Sequence, residues 1–365
     1  MHLKEIPFFF HSTDDASNEG LPLVFPFDYF FNESYQMFCQ REQPELMAML
    51  NTVYQKGSLA DGSFSSASGL TYVEKIGDFI FNHVPNISDK KILEVGYGSG
   101  VILKALKSRG CKNLQGIEPG NHPEIEGIQD IFRVKDFFPS DKITGKFDVI
   151  YSLLVLEHIA NPTAFLQNIK AQLVEDGVVI IAVPNCEPYY ETGDVSMFIH
   201  EHFGYYTKAS LHNVAMSAGM RCNTIEIIEG ALVAVLSKHT EETEETQHFE
   251  VKDFLEKANA LQMAVQRFME KYADGDVAVF APIRAMNVMS ALNKRECIPV
   301  DDNPQIQGKF LPAFDKRIRS QQQLAADPPK AIIIFSRTFG ERIKQRLLNE
   351  SAFANTEIVT LNDLN

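Results

Sequence analysis

The stretch Lys91-Ile-Leu-Glu-Val-Gly-Tyr-Gly-Ser-Gly100 limits what this chain can fold into more than any other. Ile92, Leu93 and Val95 form a short apolar run that reads as a buried parallel strand. Gly96, Gly98 and Gly100 break it into a turn, and Val101-Ile-Leu-Lys-Ala-Leu-Lys-Ser-Arg109 then reads as a helix. Strand, glycine turn and helix make the opening of a nucleotide-binding unit, because a backbone without Cβ atoms lets a nucleotide-like ligand come close. Glycines that serve only to pack the junction are the alternative.

The acidic residues narrow the ligand. Leu114-Gln-Gly-Ile-Glu118 reads as a second strand ending in a carboxylate about 24 residues after Glu94, where such units present an acid to a ribose. The turn is GxGxG, not the GxGxxG of dinucleotide sites, and Glu94 stands just ahead of it. An anion there suits a ligand with a cationic end and no pyrophosphate, since a diphosphate would be repelled.

These residues resemble a known family. Leu-Glu-Val-Gly-Tyr-Gly-Ser-Gly followed by Gly-Ile-Glu-Pro is similar to motifs I and II of class I S-adenosylmethionine (SAM) dependent methyltransferases. The resemblance runs from about Lys91 to Ser237. Val134-Lys-Asp136-Phe137 fits the third strand, where an acid in that family meets the adenine amino group. Phe147 to Ser152 fits the fourth strand, Leu156-Glu-His158-Ile159 the start of the next helix, and Gly177 to Pro184 the fifth strand. The resemblance implies a SAM site made by Glu94, Gly96, Gly98, Gly100, Glu118, Asp136, Phe137, Leu153 and His158.

Composition sets outer bounds. The chain has 365 residues, 45% of them hydrophobic, enough for two or three domains with full cores. Lys and Arg number 34 against 48 Asp and Glu, a net charge of −14 that argues against a nucleic-acid backbone as the main partner. No apolar run is long enough to span a bilayer, and Met1-His-Leu-Lys-Glu-Ile-Pro lacks the form of a signal peptide, so no membrane partner and a cytoplasmic location are expected. Cys39, Cys111, Cys186, Cys222 and Cys297 include no CxxC pair, which fits a reducing compartment and offers no zinc site.

Ahead of the first strand, Pro22 to Phe31 is rich in aromatics and proline and is expected to run extended. Pro44 to Tyr54 has helical spacing, and the small, polar Gly62 to Gly69 precedes the amphipathic Leu70 to Val84. Such a segment forms either a lid over a substrate pocket or a plain surface loop.

After the fifth strand, Asn185 to Ser196 is expected to loop along the carboxyl edge of the sheet, where open α/β folds bind ligands. His200-Glu201-His202-Phe203-Gly204-Tyr205-Tyr206-Thr207 follows. Two histidines flanking a carboxylate, with tyrosines behind, concentrate general-base candidates. The HxH spacing permits metal ligation, but no third ligand is evident, and no metal is expected. The segment resembles the His-Glu-His and aromatic run of bacterial nucleotide-sugar C-methyltransferases, which also carry a serine pair before motif I, similar to Phe64-Ser-Ser-Ala-Ser68. The resemblance implies Glu201 and His202 as the catalytic pair, with His202 the base. Ser65, Tyr72, His200 and Tyr205 are weaker candidates for the substrate pocket. Relatives place a catalytic tyrosine near the serine pair, where this chain has Phe64, and often begin with a zinc-binding cysteine module that is missing here.

His239 to His248 reads as an acidic linker, followed by an amphipathic helix with Phe254, Leu261, Val265 and Phe268 at helical spacing. Strands at Asp276 to Phe280, Cys297 to Val300 and Ala331 to Phe335 start a further α/β unit. Its Val-Asp-Asp-Asn-Pro and Gly308-Lys-Phe-Leu-Pro312 are similar to the C-terminal domain of the same C-methyltransferases. Where those have a glycine-rich turn, this chain has Ala281-Pro-Ile-Arg284, so Arg284 becomes the candidate for substrate phosphate contact.

The expected fold class is therefore α/β: a Rossmann-like class I methyltransferase core (89–238) with an N-terminal cap (1–88), a linker and helix (239–275) and a smaller C-terminal α/β domain (276–365). The expected reaction is C-methylation of a nucleotide-linked keto-deoxysugar, a small-molecule substrate, through an enolate made by His202. O- or N-methylation of a small molecule, and a non-catalytic SAM-binding protein, stay open.

Overall fold

In a computed structural model, the structure describes residues 5–14, 21–56, 67–122, 125–238, 247–248, 253–273, 275–337 and 339–364. Two compact units divide the chain, one formed by Tyr29–Glu187 with Glu201–Phe249, the other by Met1–Asp28, Pro188–His200 and Glu250–Asn365. The divisions thus fall at 28/29, 187/188, 200/201 and 249/250, whereas the sequence suggests 88/89, 238/239 and 275/276. One unit is assembled from two separate chain segments and the other from three, which local composition does not record.

The first unit is built on a seven-stranded sheet. Its strands are β1 (Lys91–Val95), β2 (Asn113–Ile117), β3 (Phe132–Val134), β4 (Phe147–Leu153), β5 (Leu173–Pro184), β6 (Met220–Ile228) and β7 (Ala231–Lys238). They lie in the order β6-β7-β5-β4-β1-β2-β3. β1 to β5 are parallel, while β7 runs antiparallel to both β5 and β6.

Alternating side chains supply two cores, as a pleated strand buried on both faces requires. Leu93, Ile150 and Ile181 enter the core that holds Phe165 and Ile169 of the helix Pro162–Ala171. Ile92, Val149 and Ile180 enter the opposite core, against Ile76 and Ile80 of the helix Ala67–His83 and Leu103 and Leu106 of the helix Val101–Ser108. The helix Pro162–Ala171 begins where Asn161 accepts a hydrogen bond from the Ala164 amide at 3.0 Å and Pro162 fixes the first turn. Strand order reverses between β1 and β4, so the loops after these two strands open the crevice where such sheets bind ligands.

The stretch expected to run extended holds two strands in different units. Val24–Pro26 pairs with Glu5–Pro7, and Tyr29–Asn32 forms an antiparallel hairpin with Met37–Gln40.

The second unit carries four parallel strands, β8 (Val277–Phe280), β9 (Ile298–Val300), β10 (Ala331–Ile334) and β11 (Glu357–Thr360), in the order β9-β8-β10-β11. Ala281, at φ 58°, turns the chain from β8 into the helix Pro282–Leu292, with proline at its first turn.

Candidate active site

The glycine turn closes tightly after β1. Gly96, Gly98 and Gly100 all take positive φ, at 79°, 50° and 86°. A Cβ on Gly96 would run into the Val155 side chain, and one on Gly100 would come within 2.5 Å of Ile128. Packing therefore accounts for these two glycines, and the turn holds one shape before any ligand arrives. Across it, Leu154 sits at φ 57° just after β4, a left-handed conformation that costs a residue with a side chain about 1–2 kcal/mol. That bend carries the chain from Leu153, buried at the end of β4, into Val155 and the short turn Leu156–His158.

Three acids surround the turn. Glu118, at the carboxyl end of β2, accepts hydrogen bonds from the amides of Gly98 at 3.2 Å and Gly120 at 2.7 Å, and His122 lies 3.5 Å from it. Burial alone would raise its pKa, but the His122 and backbone hydrogen bonds outweigh it and hold the carboxyl below its ordinary value. Glu94 is buried, accepts the Tyr151 hydroxyl at 2.9 Å, and is pushed up to about 8 by burial, with the nearby Glu118 adding to the rise. It ionises readily only when a cation lies beside it. Asp136 is held down by its bonds to Lys142 and Ser140. Phe137 is 49% exposed and donates its amide to Asp136 at 3.0 Å.

A second cluster forms beyond β4. His158 Nδ1 donates to the Glu201 carbonyl oxygen at 2.8 Å, and the Tyr54 hydroxyl donates to the same oxygen at 3.3 Å. The His202 ring meets that of His158 edge-on, with centroids 4.8 Å apart. The Phe203 and Gly204 amides both donate to the Glu157 carbonyl oxygen, at 2.6 and 3.2 Å. The hairpin holds the other side: Gln40 Nε2 donates to the His202 carbonyl oxygen at 3.1 Å, as does the Tyr205 hydroxyl at 3.1 Å. His202 and its neighbour Glu201 are thus held by three segments distant in sequence: the hairpin, the helix Pro44–Lys56 and the turn after β4.

Both imidazoles are neutral. Burial pulls His158 down to about 4 against the opposing pull of the Glu201 carbonyl and Glu118, and burial with the neighbouring His158 pulls His202 well below its ordinary value. Glu157 is 2% exposed, is pushed up to about 8 by burial, and has a carboxyl oxygen, Oε2, with no hydrogen-bond partner among the described residues. Tyr72, buried in the helix Ala67–His83, is raised by burial and by the charges of Glu157 and Glu94, which places it near both clusters.

Two candidates lie elsewhere. His200 belongs to the other unit, where its buried ring is packed among Phe8, Phe25 and Phe27 at centroid distances of 5.4, 5.6 and 5.6 Å. Arg284, in that same unit, donates to the Tyr189 hydroxyl at 2.7 Å. Ser65 lies outside the described residues. Sequence reasoning assigned no role to Glu157 or Tyr54. The adjacent acid and histidine of Leu156-Glu-His158 were a signal for Glu157, whereas the approach of Tyr54 to His158 spans 104 residues and leaves no local trace.

Read from the other edge of the sheet, the order 3-2-1-4-5-7-6 with an antiparallel β7 is that of class I methyltransferases. Residues 71–224 match the family model described as a methyltransferase domain. This part of the chain therefore has the class I methyltransferase fold. Over 121 residues it is 32% identical to the ubiquinone biosynthesis O-methyltransferase of Actinobacillus pleuropneumoniae serotype 7, covering 30% of this chain and 51% of that protein. It is 27% identical over 116 residues to the tRNA U34 carboxymethyltransferase of Colwellia psychrerythraea, covering 28% of this chain and 35% of that protein. The chain spans about half the length of curated relatives that it matches. Among solved structures, the 1,6-didemethyltoxoflavin-N1-methyltransferase of Burkholderia thailandensis aligns over 58% of this chain and 100% of its own, at 15% identity and a TM-score of 0.44. No helix among the described residues is long and apolar enough to cross a membrane.

Proposed function

We propose that the chain methylates a small molecule with SAM, at a carbon beside a carbonyl group, and that a nucleotide-linked keto-deoxysugar is the substrate. SAM supplies an electrophilic methyl group, so the protein's part is to hold it and to prepare a nucleophile. Glu118 has carboxylate lone pairs beyond those taken by Gly98 and Gly120 for a ribose diol, and Glu94 and Glu118 form an acidic surround that suits a cationic ligand without phosphate. Asp136 and Phe137 would meet the adenine, and Leu153 and His158 would close the far side.

The observation that carries the reading is the neutral His202, fixed against His158 at the carboxyl edge of the sheet next to the acids of the turn. A neutral imidazole has a lone pair free to take a proton, and Glu201, adjacent in the chain, would stabilise the imidazolium that results. The enolate carbon would then attack the methyl group. Tyr72 would donate to the oxyanion, consistent with its raised pKa and its position near Glu157. The keto-sugar reading is supported by the His-Glu-His segment and the second α/β unit.

O-methylation is the second reading, supported by the likeness to ubiquinone biosynthesis O-methyltransferases. There His202 would take a hydroxyl proton. Mass spectrometry of a nucleotide-linked 4-keto-6-deoxy sugar in heavy water separates the two. Deuterium uptake at carbon that needs His202, with methyl gain when SAM is added, supports carbon methylation; methyl gain without exchange moves the reaction to oxygen, and neither result removes this substrate class.

A further inference from the structure

We infer that Glu157, His158 and His202 form a binding site for one divalent transition-metal ion, of which Zn2+ is the best match. Their donor atoms lie within 4.8 Å of one another, and Glu157 Oε1 stands 4.0 Å from His158 Nε2. Zinc bonds of about 2.0–2.1 Å require donors roughly 3.3 Å apart, so loading needs pairs of donors to close by up to about 1.5 Å.

Two independent features point to an ion. First, His158 donates its Nδ1 proton to the Glu201 carbonyl at 2.8 Å, which in the neutral ring leaves the lone pair on Nε2, the nitrogen nearest Glu157. A backbone carbonyl fixing the far nitrogen is how ligating histidines are oriented. Second, Glu157 is almost wholly buried, yet its Oε2 has no hydrogen-bond partner among the described residues. A buried carboxyl with one oxygen toward His158 and the other unmet is offset well by a cation.

The donor set decides which cation. Two imidazole nitrogens and one carboxylate oxygen suit Zn2+ or Co2+, while Mg2+ and Ca2+ prefer all-oxygen shells. Three protein ligands leave a fourth position open to water or a substrate oxygen. The pair that the sequence displays, His200 and His202, is not the metal pair: His200 belongs to the other unit and packs among phenylalanine rings. The partners of His202 come instead from the turn after β4.

Loading has a consequence that rests on the proposed function. An ion on His202 occupies the lone pair that takes the substrate proton, so the zinc-loaded and base-competent states exclude each other. Zinc acts here as an off-switch.

The test uses the full chain freed of metal by chelator and desalted. Zn2+ is titrated by calorimetry, and Co2+ by the visible absorption of a low-coordinate ion. The expected result is one equivalent bound, with Glu157→Gln and His202→Gln each weakening affinity on the order of 10–100-fold. His83→Gln, at a partly exposed pair with Glu226, serves as the control and is expected to bind as the parent does. Thermal melts show whether each variant folds, and the partly exposed His202 keeps the test alive if Glu157→Gln does not. No stoichiometric binding, or equal binding in all variants, overturns the site. Binding that leaves methyl transfer at its metal-free rate overturns the off-switch, and a metal-free chain that transfers no methyl group bears on the proposed function alone.

Discussion

The two halves of the candidate site are built on different principles. The SAM side is local and satisfied: Glu118 spends its oxygens on amides of the adjoining loops, and Gly96 and Gly100 leave room for Val155 and Ile128. The nucleophile side is assembled from the hairpin, the helix Pro44–Lys56, the turn after β4 and the segment that starts at Glu201, and it leaves Glu157 Oε2 and the Tyr206 hydroxyl without partners among the described residues. A complete scaffold holds a common cofactor, and unmet buried polar groups remain where the particular chemistry must occur.

The contrast predicts that the two sides separate in kinetics. Replacing His202 with alanine is expected to lower kcat by about 10²–10⁴-fold while SAM affinity, read by calorimetry, stays within a factor of a few. Loss of both would mean that the sides are not independent. Glu118→Ala should do the reverse, weakening SAM by roughly 10–100-fold, as loss of charge-assisted hydrogen bonds implies, with turnover at saturating SAM retained.

Stability should carry the mark of the buried groups. Glu94 and Glu157 ionise at about 8 in the folded chain against 4.5 as the ordinary value, so the folded state keeps protons that the unfolded state gives up, and each makes stability fall as pH rises through that range. His158, at about 4 against 6.5, acts in the opposite sense, costing stability as pH falls below 6.5. Between 6.5 and 8 the carboxyls outweigh the tail of the histidine effect, and each is expected to remove about 2 kcal/mol. Urea unfolding at those two pH values should show a drop that Glu157→Gln roughly halves; an equal drop in that variant would place the proton elsewhere. The smallest effect is expected for Tyr54→Phe, which removes one hydrogen bond to the Glu201 carbonyl and should cost about 0.5–1.5 kcal/mol by the same measurement.

Legibility in the sequence follows the same division. The strands Lys91–Val95 and Asn113–Ile117 and the helix between them were readable because apolar period, glycines and the terminal acid all lie within about 30 residues. The β-hairpin Tyr29–Asn32 with Met37–Gln40 was not, since its turn signal at Asn32 is short and embedded in an aromatic run, and its role is to hold His202, far along the chain. His200 and His202 look alike in sequence yet go to different units, because side-chain direction there is set by tertiary packing. The protonation of Glu94 is hidden in the sequence for a related reason: residue type gives a carboxyl, but only its burial, which outweighs the Tyr151 hydrogen bond, pushes it up to about 8.

The most direct test of the account is calorimetric titration of the parent chain and Glu118→Ala with SAM, and separately with NAD. The account predicts one SAM per chain, weakened in the variant, and no NAD binding. NAD binding without SAM binding would contradict it.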